Sequence, residues 1–143
     1  MQLTRFQKIA LGFSGVTALI IGTFITLSPH VFYASYGVTL GQDPNLLSEL
    51  RAPGAGLAVF GALILSGVVR AAMAPIALAV ALTVYLAFPV GRIVGIVMDG
   101  LPSGSVIGAL AFEIILAGLL LAAFKPMRAA GSSGREQFVD LPG

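Results

Sequence analysis

Four long apolar runs separated by brief polar punctuation organise the chain. Crossing about 30 Å of hydrocarbon takes about 20 helical residues, and four segments reach that length. They cover about 9–27, 46–69, 73–98 and 105–124. The first carries no charge. Asp43-Pro44 and Arg70 bound the second, Asp99-Gly100 stops the third, and Lys125-Pro126 stops the fourth. The runs are rich in Ala, Leu and Gly and lack the two-residue alternation of a barrel strand. The pattern predicts an all-α fold, an integral membrane four-helix bundle running up-down-up-down. Asp43 before Pro44 reads as an N-cap with proline at the first helical position. Asp99-Gly100-Leu101-Pro102-Ser103-Gly104 reads as a tight turn between the last two spans.

The first run exceeds the 7–15-residue core of a signal peptide, and no small-residue cleavage site follows it, so it is expected to remain as a span. The stretch from Pro29 to Asn45 holds His30, Phe32, Tyr33 and Tyr36 and reads as a loop at the outer interface, where aromatic rings settle. Residues 1–128 make one four-span domain. Residues 129–143, with Gly131-Ser132-Ser133-Gly134, read as a flexible tail and in part an appended expression remnant.

Composition narrows the chemistry. The chain is 57% hydrophobic and 10% charged, less than half the charge of an ordinary soluble domain. A net charge of +2 is too small and scattered for a nucleic-acid footprint. The absence of Cys and the single His exclude disulfides, thiolate metal sites and a multi-histidine centre within one chain. No metal, cofactor or catalytic residue is assigned, and the balance leans away from an enzyme.

The informative residues are ionisable ones within or beside the spans: Glu49, Arg51, Arg92, Asp99 and Glu113. A charge at the bilayer centre costs about 2.5–3.5 kcal/mol on insertion scales and usually pairs inside the bundle. Arg92 precedes Asp99 by seven residues, roughly 10 Å below the turn, and Glu113 follows Ser105 by eight, roughly 12 Å below it. The two therefore share a depth on adjacent antiparallel helices. Residues seven apart differ by about 20°, so Arg92, Gly95 and Asp99 share a face. Arg51, Ala55, Ala58 and Ala62 form a small-residue stripe with Arg51 at its outer end.

The reading is one buried cluster of Arg51, Arg92 and Glu113 in the outer half, with Asp99 at its rim. Glu49 points nearly opposite to Arg51, towards another neighbour or the headgroups. Pro53 and Pro89 free the carbonyls of Glu49 and Tyr85, which membranes tolerate where they face protein or a watered cavity. A kinked polar cavity opening outward is expected. An Arg–Glu pair can equally serve to fix the register of two helices. Gly91/Gly95 and Gly104/Gly108 match the G-x-x-x-G pattern and are expected at close intrachain contacts. His30 reads as an interfacial residue and Tyr85 as a packing residue with a bonded hydroxyl.

Ser48-Glu49-Leu50-Arg51-Ala52-Pro53-Gly54, Gly91-Arg92-Ile93-Val94-Gly95, Asp99-Gly100-Leu101-Pro102 and Glu113 together resemble domain-of-unknown-function family 4345. Its members are small four-helix bacterial membrane proteins, similar in layout to the DoxX-like group. The resemblance covers about residues 9–125 and marks Glu49, Arg51, Arg92, Asp99 and Glu113 as signature positions. It implies a multi-pass protein of the bacterial inner (plasma) membrane and carries no established activity. Three readings stand. The chain binds an amphipathic molecule with an anionic or polar head, such as a lipid or quinone; or it is an accessory subunit of a larger membrane complex; or it is a proton-coupled transporter or intramembrane enzyme using Glu113. The last would need a homo-oligomer in a chain this short. The lipid bilayer is the partner common to all three, and nucleic acid is excluded.

Orientation follows from the distribution of positive charge. Arg5, Lys8, Arg70, Lys125, Arg128 and Arg135 lie at one set of span ends, whereas His30–Asn45 and Asp99–Gly104 contain no Lys or Arg. Both termini are therefore expected in the cytoplasm. A reporter fused after Phe124 should be active only in a cytoplasmic-sensitive form; activity confined to the outer face would reverse the topology.

Overall fold

The computed structural model describes residues 2–130, with side chains described through Lys125. Helix α1, Arg5–Leu27, opens with a capping box. The Gln7 amide donates to Thr4 Oγ1 at 3.2 Å, and the Thr4 amide donates to Gln7 Oε1 at 3.0 Å, which satisfies two otherwise orphaned donors. The buried Gln7 side chain also donates to the Ala123 carbonyl at 3.1 Å. The start of α1 thus lies beside the end of the last helix, so both ends of the described chain sit at one end of the bundle.

Helix α2, Pro29–Ala34, is short and falls within the segment read from sequence as a loop. Proline at its first position presets the helical φ, and Phe32 stacks edge-on against Phe24 of α1 at 5.7 Å. Gly37, at φ +78°, ends the turn in a conformation that disfavours side chains. Helix α3, Pro44–Val69, starts as expected: the Asp43 carboxylate accepts from the Asn45 amide at 2.9 Å, with Pro44 at the first position. A 3-10 turn, Ala71–Met73, leads to α4, Ala74–Asp99, which stops at Gly100 with φ +97°. Helix α5, Gly104–Ala130, follows. It continues through Ala129 and Ala130, where a flexible tail was expected; the rest of that tail lies outside the described residues.

Helices α1, α3, α4 and α5 are each long and apolar enough to cross a membrane. They pack as a ring in chain order, α1 on α3, α3 on α4, α4 on α5, and α5 back on α1. The tightest seam joins α1 to α3. Gly15 and Gly22 on one helix, and Gly54 and Gly61 on the other, are spaced by seven and so share a face. A Cβ at Gly54 would lie 2.7 Å from Ile25 Cγ2, and one at Gly15 would lie 2.8 Å from Leu65 Cγ. At Gly22 and Gly61 it would meet the backbone of Ala58 and Leu19. Close approach of this kind holds membrane helices together.

The expected packing glycines behave differently. A Cβ at Gly91, Gly95, Gly104 or Gly108 would meet nothing within 4 Å. The close intrachain contacts expected there are absent: Gly91 and Gly108 border a cavity, and Gly95 and Gly104 also face open space. The half of the bundle nearest the termini is solid: Leu11, Ile64, Ala77, Ala81 and Leu120 are fully buried. The half nearest the loops is hollow.

Replacing Gly61 by Ala should lower thermal stability in detergent by about 1–3 kcal/mol, because the obstructing atoms are backbone. Gly95→Ala should be neutral, or stabilising by up to about 1 kcal/mol, since it adds helix propensity in open space. Equal melting of the two variants would contradict this assignment of the seam.

Candidate functional site

The hollow is a cavity of about 980 Å³, at the upper end of the range of small-molecule sites. Thr17, Ala18, Ile21 and Ile25 supply one wall from α1, at spacings that keep them on one helical face. Gly108, Ala109 and Phe112 supply the facing wall from α5, and Ala87, Phe88 and Gly91 contribute from α4. Gly91 and Gly108 enlarge the space by what they lack. The floor is Val84 and Tyr85. The Tyr85 hydroxyl donates to the Ser14 carbonyl at 2.7 Å, which ties α4 to α1 across the bundle and leaves this buried phenol satisfied. That is the packing role expected for it.

At the loop end the lining turns polar. Arg92 Nε donates to Glu113 Oε2 at 2.9 Å and Oε1 at 3.2 Å, and Arg92 Nη2 donates to Oε1 at 3.0 Å. This is the pair that depth arithmetic anticipated. The side chains are 27% and 13% exposed, and both line the cavity. A forked guanidinium–carboxylate pair of this kind fixes geometry as well as neutralising charge.

Above the pair lies a lid. Phe32 and Tyr33 of α2, with Tyr36 beyond it, line the cavity from the loop side. The Ser103 hydroxyl, in the turn before α5, donates to the Tyr36 carbonyl at 3.1 Å and pins the lid across the bundle. His30 Nε2 lies 3.1 Å from the Gly41 carbonyl and holds the return of the loop. Burial pushes the Tyr33 hydroxyl above the ordinary phenol range, and the nearby positive charge of Arg92 partly opposes that shift.

The remaining charges do not join the pair. Arg51 points across the α1–α3 seam, where its Nη1 donates to the carbonyl of Thr26. The last carbonyls of α1 have no intrahelical donor, and a cation there also complements the helix dipole. Arg51 is therefore a cap for α1, on the far side of the ring from α5, and it borders a separate shallow groove with Ser48 and Leu47. The expected three-residue cluster is corrected to a pair. Asp99 is exposed at the end of α4 and lies outside the cavity lining, about two helical turns beyond Arg92. Glu49 is exposed on α3 and lies outside the cavity lining.

Pro53 is exposed and Pro89 is buried, and neither lines the cavity. The space comes from small side chains rather than from proline-freed carbonyls. Sequence reasoning missed the α1 wall, because an uncharged span drew no attention. It also missed the lid, although Phe32, Tyr33 and Tyr36 at helical spacing were the available signal.

The family model described as Domain of unknown function (DUF4345) matches residues 6–124. The chain belongs to that family. The match runs from the first turn of α1 to the buried Phe124 of α5, so it includes both walls, the lid and the ion pair. Comparisons with curated proteins and with solved structures returned no match.

Removing Glu113 alone leaves a cation without its partner, and Glu113→Gln should lower stability by about 3 kcal/mol. Removing both charges together, as Arg92→Met with Glu113→Leu, should restore stability to within about 1 kcal/mol of the parent. Thermal unfolding in one detergent compares them. A double variant as unstable as the single one would show that the pair itself stabilises the fold.

Proposed function

We propose that this chain binds an amphipathic small molecule, lipid-like or quinone-like, with its polar head at Arg92 and Glu113 and its apolar body along α1 and α5. The observation that carries this reading is the combination of one large apolar cavity with one ion pair placed at its loop end. A hollow of this size has no role in holding the bundle together, since the seam and the solid terminal half already do so. Cavities also weaken the structure around them in proportion to their volume, which gives their retention a cause outside stability. The chain sits in this proposal in the inner membrane with both termini cytoplasmic, so the lid faces outward.

Filling the space tests it. Gly108→Leu places a branched side chain where a Cβ meets nothing within 4 Å. The parent protein, purified in mild detergent, should carry a molecule of lipid mass by native mass spectrometry. The Gly108→Leu protein should lose it while melting at the parent temperature. Equal retention by both, or an empty parent, would count against binding at this site.

A further inference from the structure

We propose that the head of the ligand is uncharged and accepts hydrogen bonds, as the carbonyl oxygen of an ester, ketone or quinone ring does. This rests on the binding reading above and narrows it to a substrate class. The argument begins with charge. Arg92 and Glu113 are the charged residues of the lining, and they neutralise each other through a forked contact. Arg51, which would have left a surplus cation, is occupied at the Thr26 carbonyl outside the cavity. The site therefore has no net charge to offer. An anionic head would bring an unanswered negative charge into a low-dielectric space and lie against the Glu113 carboxylate, and a cationic head would repeat the fault against Arg92.

Hydrogen-bonding capacity points the same way. A guanidinium carries five N–H donors and no acceptor. Glu113 engages Nε and Nη2, and Nη1 makes no hydrogen bond among the described residues. The hydroxyls of Tyr33 and Tyr36, both in the lining, likewise make none among those residues. On the accepting side, Glu113 already receives three contacts from Arg92, most of the four lone-pair sites a carboxylate has. The end of the cavity thus offers donors on Arg92 Nη1 and on hydroxyls that both donate and accept, while its charged acceptor is largely filled. A neutral carbonyl satisfies those donors without adding charge, and its apolar body then lies along Ile21, Ile25, Ala109 and Phe112.

Three probes with one chain length separate the alternatives: methyl palmitate, hexadecane and sodium hexadecyl sulfate. Each is added at equal concentration to the delipidated protein in a neutral detergent, and occupancy is read by native mass spectrometry with Gly108→Leu as background. Methyl palmitate should exceed hexadecane by about tenfold, the value of one hydrogen bond to a charged donor, and hexadecyl sulfate should fall at or below hexadecane. Arg92→Met with Glu113→Leu should erase the preference for the ester while hexadecane is still held. If that double variant fails to fold, Tyr33→Phe with Tyr36→Phe, which leaves the ion pair intact, should reduce the same preference. Higher occupancy by the sulfate, or no discrimination between ester and hexadecane, overturns the neutral-acceptor assignment and leaves binding at the cavity standing. No probe held above the Gly108→Leu background would overturn the binding reading itself.

Discussion

Lipid tails are as apolar as leucine, so helices in a bilayer gain little by merely hiding oily side chains from their surroundings. Association has to come from close contact. In this chain that contact is concentrated in the glycine seam between α1 and α3, where two backbones approach so nearly that a methyl group would collide with the opposite main chain. Everything else follows from where that seam is and where it is not. With α1 and α3 locked, α4 joins through Gly67 and Ala77 near the short turn between them. Helix α5 is held by its hairpin to α4 and by contacts at the terminal end, such as Gln7 with Ala123. Its other half is then free to stand away from α1, and the cavity is the result.

The ion pair belongs to this geometry. Hydrocarbon makes a lone charge costly and leaves a pair strongly attractive, so Arg92 and Glu113 must meet if either is to exist at that depth. Their meeting also joins the loop halves of α4 and α5 at a place where small residues provide no packing. A charge pair thus does here what interdigitated side chains do at the other end of the bundle. It allows the hairpin to remain open beneath it.

Much of this was legible in the residues. Span lengths, the Asp43-Pro44 helix start and the Arg92–Glu113 pairing all depend on distance along a regular helix, which a rise of 1.5 Å per residue converts into depth. Rotation about the bundle was less accessible. Arg51 shares the depth of the pair but sits on a helix whose relevant face is dictated by the glycine seam, and no property of Arg51 itself announces that. The glycines at 91, 95, 104 and 108 carry the same local signature as those at 15, 22, 54 and 61. What separates close contact from open space is the neighbour opposite, and a single helix does not encode it. The lid illustrates a third cause. Six residues of helix among aromatic and polar neighbours give too short a pattern to distinguish from a loop until Phe24 and Ser103 are placed against it.

The hydrogen bond between Tyr85 and Ser14 has a consequence for access. It fixes the floor of the hollow between α4 and α1, beside a terminal half of buried side chains. In this arrangement the cavity has a floor on the terminal side, and its open faces lie towards the loops and between the helices, where Phe88 and Phe112 are exposed. On the binding proposal, a guest exchanges on the loop side of that floor, and a site floored in this way reads a concentration beside the loops rather than a gradient across the bundle.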